Sequence, residues 1–390
     1  MHAIIYKGLL YEYAGIICTT AVWGVYDADA YLYKILLFAA KALLDDSTDF
    51  AYHRGVMKKL LFSRRFQVLV SFLLSAVLIV LVFSEVSWSG LKEQLAETGF
   101  LPLILAFPVM VLHYSLRAMR WRYLLPLQNI TTFKSRFDAI IIGTFASYVL
   151  PLRAGEFIRP YLLSRESQHS FTVSFVSVVV ERFFDLAMVL VSFAVVAGMI
   201  NNLPPEIEKG ALIFSKLALL VFCMIVAGIV FPARIKRLVE WSTGFLPESI
   251  SKIIVSAAGD FLTGVEVLKG RGVLLKITLL TVIVWFSTYF LFYIFLFAFD
   301  LPRTFFAGVV VSVFVALGVA LPSAPGFIGI YQAACMAGFQ IFTSSKEAAL
   351  AYAIVTHLYQ AVFYVVYGVW ALTSRGIKLS DLQRGSKKPA

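Results

Sequence analysis

The chain has 390 residues, 60% of them hydrophobic and only 15% charged, with a formal net charge of +11. A soluble chain averages about 45–50% apolar and about 25% charged residues, so this composition excludes an ordinary soluble enzyme and indicates a protein that passes a membrane several times. The positive charge fits Lys and Arg held on the cytoplasmic face, not a nucleic-acid surface.

Residues 1–56 differ from the rest of the chain. Their apolar runs, such as Ala14 to Trp23, are shorter than the ~20 residues that a span needs, and Glu12, Asp27, Asp29, Asp45, Asp46 and Asp49 interrupt them. Met57-Lys58-Lys59, followed by Arg64-Arg65 and a long apolar run, reads as a natural start. The expectation is that 1–56 is an extension outside the native protein; a short interfacial helix pair is the alternative. Apolar segments of spanning length then lie at Phe66 to Ser84, Phe100 to Met119, Phe171 to Ile200, Ala211 to Phe231, Val273 to Phe299 and Leu350 to Thr373.

Two further segments, Phe137 to Leu163 and Arg303 to Thr343, carry related motifs near their centres. The first runs Leu150-Pro151-Leu152-Arg153-Ala154-Gly155-Glu156-Phe157-Ile158-Arg159, the second Leu321-Pro322-Ser323-Ala324-Pro325-Gly326-Phe327-Ile328-Gly329. Proline lacks the N–H and clashes with the preceding turn, and glycine gives up conformational freedom, so each motif breaks a helix. Such a break is tolerated in a membrane where protein or a polar cavity receives the freed backbone groups. Both segments are therefore read as re-entrant hairpins.

Basic clusters should be cytoplasmic: Lys58, Lys59, Arg64 and Arg65; Arg117, Arg120, Arg122, Lys134 and Arg136; Arg234 to Arg271; and the tail from Arg375. Glu85 to Glu97 and Asn201 to Lys209 should face outward. The resulting expectation is an all-α polytopic membrane protein, an inverted-topology repeat of span, span, re-entrant hairpin, span, with six full spans plus two hairpins. Residues 57–205 form the first repeat and 206–375 the second, which contains a cytoplasmic amphipathic insert at 233–271. Residues 376–390 are a basic cytoplasmic tail, and both ends of the core are placed in the cytoplasm.

Glu181-Arg182-Phe183-Phe184-Asp185 sits well inside an apolar run. A charge there costs at least about 2.5–3.5 kcal/mol, so it needs a cavity or a partner. Glu181 and Asp185, four apart, share a helical face, and Arg182 is rotated about 100° from Glu181. Pairing these carboxylates with Arg153, Arg159 or a lipid head group is one reading; an internal ion-pair network is the other. Arg153 and Arg159 suit phosphate, because guanidinium makes bidentate, charge-assisted bonds, and Glu156 would position one of them in the empty site. Their alternative is snorkelling to the interface. Pro325, Gly326 and Gly329 of the second motif, and His357 and Gln360 of the last span, complete the candidate substrate-binding set; His113 is read as structural.

Cys18, Cys223 and Cys335 show no metal or disulfide spacing, and no cofactor or metal is expected. No Walker loop, GxSxG or HExxH is present, so the chain is not expected to be an enzyme itself.

The run P-x-R-x-G-E-x-x-R from Pro151 to Arg159, Glu181-Arg182-x-x-Asp185 and Leu321 to Gly329 resemble the lysylphosphatidylglycerol synthase transmembrane-region family, over about residues 57 to 375. This is the flippase-like domain of the multiple peptide resistance factor and its stand-alone relatives. The resemblance implies a bacterial inner-membrane protein that moves, or helps to move, a polar lipid, with a phospholipid or lipid-linked head group as partner. It also allows an accessory role to a glycosyl- or aminoacyl-transferase acting on lipid-linked substrates. One departure is Tyr331-Gln332, where many members carry an acidic residue, which speaks against a proton-binding role at Gln332.

Overall fold

Two proline- and glycine-bearing motifs stand at breaks between helices of this chain, and glycines mark places where helices touch. The computed structural model describes residues 64–126, 131–150, 153–167, 170–199, 231–244, 272–320, 324–342 and 344–377, with isolated positions between 216 and 270. The extension 1–56, the expected start at Met57, most of the predicted fourth span, much of the insert and the tail beyond Ile377 lie outside the described residues.

All regular elements among the described residues are helical: α1 (Arg64–Ser84), α2 (Trp88–Ala96), α3 (Phe100–Leu124), α4 (Phe133–Val149), α5 (Gly155–Glu166), α6 (Phe171–Met199), α7 (Pro232–Thr243), α8 (Val273–Leu296), α9 (Phe305–Ala320), a 3₁₀ turn (Pro325–Phe327), α10 (Ile330–Gln340) and α11 (Lys346–Ser374). By length and composition α3, α8 and α11 could each cross a membrane, and the pair Ser75–Ser84 and α2, bent by 91°, would be a fourth if taken as one span. The predicted third span is the 29-residue α6.

The stretch Glu85 to Glu97, expected to face outward, contains the helix α2. In α2, Trp88 stacks on Phe83 with ring centroids 5.4 Å apart, and Leu91 is buried, so an apolar side docks while Lys92, Glu93 and Gln94 stay polar. Its start is tied to α11 through Glu347, whose Oε1 accepts from the Ser87 N–H at 3.3 Å.

In each Pro/Gly segment two helices pack on each other, α4 with α5 and α9 with α10. The first is closed by glycines: a Cβ on Gly155 would lie 1.7 Å from the Gly143 carbonyl oxygen. Small residues let helix backbones approach this way. The second closes likewise, with the Gly318 position 2.8 Å from the Ala334 Cβ. Local capping sets the helix starts. The Thr132 hydroxyl accepts from the Ser135 N–H at 3.0 Å, and the Gln332 Oε1 accepts from the Gly329 N–H at 2.8 Å.

Packing follows a matched order. Helix α3 lies on α4 and α8 on α9; α5 lies on α6 and α10 on α11; α4 then meets α11, α9 meets α6, and α3 packs extensively on α8. The polar residues Glu181, Asp185, Arg120 and Arg159 are thereby brought into the interior of an apolar bundle.

Candidate functional site

Glu181 and Asp185 project from one face of α6, as their spacing of four dictates. Glu181 is fully buried, and three guanidinium groups meet it. Arg117 and Arg120 of α3 donate to its Oε1 at 3.2 and 3.0 Å, and Arg159 of α5 donates to its Oε2 at 2.5 Å. Arg120, also fully buried, donates to Asp185 at 2.7 Å and to the Thr281 hydroxyl of α8 at 3.2 Å. The Trp285 indole N–H donates to the same Asp185 oxygen at 3.2 Å. Arg159 lies over Trp121, its guanidinium carbon 3.9 Å from the ring centroid, and Trp121 donates to the Ser177 hydroxyl at 2.8 Å.

Arg182, on the rotated face, bridges Glu156 at 3.3 Å and Asp185 at 3.6 Å, with its side chain 45% exposed. The network therefore pairs Arg117, Arg120, Arg159 and Arg182 with Glu156, Glu181 and Asp185, one guanidinium more than there are carboxylates. The Arg120 Nε and the Arg159 Nε and Nη1 are buried without a protein acceptor. Guanidinium has donors only, so this interior is suited to an anion.

The expected candidates divide into two groups. Arg159, Glu181, Arg182, Asp185 and Glu156 converge, but Glu156 holds Arg182 instead of positioning Arg153 or Arg159. Facing Glu156 and Asp185 together, Arg182 closes the exposed end of the network. Arg153 turns to the second hairpin, donating to the Val319 carbonyl at the end of α9 and lying 5.4 Å from the Phe327 ring centroid. Pro325 opens the 3₁₀ turn, and Gly326 and Gly329 adopt φ of +75° and +87°, conformations open to glycine.

His357 stacks on Tyr331 at 4.4 Å, and its Nδ1 lies 3.1 Å from the Gln332 amide nitrogen. Gln360 donates to the Tyr331 hydroxyl at 2.9 Å. These residues reach the arginines through Tyr364 and Tyr114, whose hydroxyls are 2.6 Å apart, with Arg117 5.6 Å from the Tyr114 ring. His113 bridges α3 to α8 through the Ser287 hydroxyl at 3.0 Å.

Arg117 and Arg120 were not among the expected site residues. Charge assigns them to a cytoplasmic cluster, although Arg117 already lies within the predicted span ending at Met119; α3 continues to Leu124 and carries both within it. Arg136 of the same cluster is buried too, donating to the Ala118 carbonyl at 2.8 Å. A usable signal existed: Phe107, Met110, Tyr114, Arg117 and Trp121 fall on one stripe of a helix. Beside this stripe, α3 and α11 enclose a cavity of about 690 Å³ lined almost wholly by apolar side chains, among them Phe107, Met110, Leu358, Val362, Phe363 and Trp370.

A family model described as "Lysylphosphatidylglycerol synthase TM region" matches residues 68–368. The chain belongs to that family. With its apolar helices, this makes it a multi-pass protein embedded in a membrane. The chain is also similar to a protein named glycosyltransferase AglD from Haloferax volcanii, 23% identical over 354 residues that cover 82% of this chain and 56% of the relative. A UPF0104 membrane protein of Methanocaldococcus jannaschii is 25% identical over 166 residues, 40% of this chain and 49% of that protein. The chain thus spans about half the length of the curated relatives it matches. No solved structure matches.

Proposed function

We propose that this member of the lysylphosphatidylglycerol synthase transmembrane-region family carries a phosphate-bearing polar lipid across the bilayer. The observation that carries the reading is the buried network with its surplus guanidinium and its unaccepted Arg159 and Arg120 donors. Buried charge is expensive and is retained where it acts. Phosphate supplies the acceptors that guanidinium needs. The matched packing of α3 to α6 and α8 to α11 supports two inverted halves rocking against each other around this interior. In this reading the basic ends of the helices face the cytoplasm of a bacterial cell and the protein performs no covalent chemistry.

The test is mass spectrometry of lipids retained by detergent-purified protein, comparing wild type with Arg159→Ala and with the bulk membrane. Enrichment of one phosphate-bearing lipid in the wild type alone is expected, followed by its movement in proteoliposomes. Bulk-like lipid in both proteins would remove the assignment. A second reading, an accessory to a transferase acting on lipid-linked substrates, is favoured by the similarity to a protein named glycosyltransferase. Co-purification with such a transferase, without lipid movement by the chain alone, would select it.

A further inference from the structure

The cavity between α3 and α11 differs from an ordinary lipid-facing helix surface in three ways. It is a concave, open-sided trough lined by Leu95 of α2, Phe107 and Met110 of α3 and one long side of α11. It is also long: its lining on α11 runs from Ile354 to Trp370, about 24 Å at the helical rise of ~1.5 Å per residue, close to the ~30 Å hydrocarbon core.

Third, one of its borders is cationic. At one end Trp370 lies under Lys134, whose ammonium is 5.5 Å from the ring centroid. The Lys134 side chain is 62% exposed and gives a bond of 2.6 Å to Asp138, leaving further donors of an ammonium that has three. Asp138 is also held by Arg375 at 2.6 Å and by the Tyr367 hydroxyl at 2.7 Å, so its charge is already countered. Along the inner wall, Phe363 stacks on Tyr114 with centroids 5.9 Å apart, and Tyr114 adjoins Arg117 of the buried network.

We infer that the α3/α11 groove is a binding site for one acyl chain of an anionic phospholipid whose phosphate is held by Lys134 beside Trp370. A long, apolar trough fits a hydrocarbon chain, and an exposed ammonium over a tryptophan fits the phosphate that such a chain carries. Phe363 then separates the seated chain from Tyr114 and Arg117. Describing the groove as the position from which cargo is loaded rests on the transport reading; its occupancy by a phospholipid does not.

The experiment uses the full chain in phosphatidylcholine vesicles containing a phosphatidic acid probe with a mid-chain diazirine, or the matched phosphatidylcholine probe. After irradiation, adducts are mapped by peptide mass spectrometry. The phosphatidic acid probe is expected to label the α11 segment 354–370 several-fold more than the exposed side of α8, at Leu275, Leu279 and Phe286; the phosphatidylcholine probe should label the two alike. Lys134→Ala should bring the ratio down to that of phosphatidylcholine, and Val362→Trp, which fills the trough, should reduce groove adducts.

Equal labelling of the two helices by both probes, or an excess that survives Lys134→Ala, overturns the inference. So does cross-linking of two copies through 354–370 in place of lipid adducts, which would make the trough a protein contact. Lipid movement by wild-type vesicles separates the two readings: groove excess without movement retires transport and keeps the site, and movement without groove excess does the reverse.

Discussion

Arg153 lies over the ring of Phe327, 5.4 Å from its centroid, and these two are the non-glycine residues with left-handed backbone among the described residues, at φ of 52° and 58°. Each sits two positions after a motif proline, at the tip of its hairpin. Phe327 in turn packs edge-on against Tyr148, in the last turn of α4, at 5.5 Å. Left-handed conformations of residues with side chains cost on the order of 1–3 kcal/mol and persist where surrounding contacts enforce them. Arg153→Gly relieves the backbone and deletes the contact together. Amide exchange should then quicken at both tips, in peptides covering 148–157 and 324–332, and stay unchanged in α8. Quickening confined to the first tip would show that the two are not coupled.

Glu181→Gln keeps the shape of the side chain and removes the charge shared by Arg117, Arg120 and Arg159. Breaking a buried pair costs about 3–5 kcal/mol, because the remaining charge is left uncompensated. Thermal unfolding in detergent, followed by size exclusion, should shift sharply downward. Glu156→Gln, at a site 34% exposed, should cost no more than about 1 kcal/mol, as for a surface pair. Equal losses for the two would contradict the arrangement.

Gly155→Ala places a methyl group 1.7 Å from the Gly143 carbonyl oxygen, which is backbone and cannot turn aside. Loss of folded protein is the expected result. Gly198→Ala, with nothing within 4 Å, is the control and should express as wild type.

Gln332 caps α10 through its Oε1 and reaches His357 through its amide nitrogen. Gln332→Leu should lower stability by about 1 kcal/mol, the usual worth of a cap. Gln332→Glu keeps an acceptor for the Gly329 N–H and should recover most of the loss, measured by the same thermal unfolding.

The two hairpins were legible because proline and glycine act locally: their motifs mark the breaks that separate α4 from α5 and α9 from α10. The carboxylates of α6 were legible because charge in an apolar run stands out. Their partners were less so. Arg117 and Arg120 lie near the end of a hydrophobic segment, where arginine ordinarily reports topology, and it is the packing of α3 against α6 that turns them to Glu181 and Asp185. Glu156 was assigned to its sequence neighbours, but the turn of α5 directs Arg159 inward to Glu181 and leaves Glu156 facing Arg182 on α6. Arg153 left the group because its left-handed backbone aims it across to the other hairpin, a direction that no spacing rule encodes.

The unequal count of guanidinium and carboxylate groups around Glu181 has an electrical meaning. An empty interior with four paired arginines to three carboxylates carries one positive charge, and a singly anionic head group seated among them would bring it to zero. Moving one elementary charge through the full membrane potential involves about 2.3 kcal/mol per 100 mV. If the protein carries lipid as proposed, the return of the unoccupied protein would feel the voltage and the passage of the occupied one would not, so the membrane potential would bias the direction of that cycle.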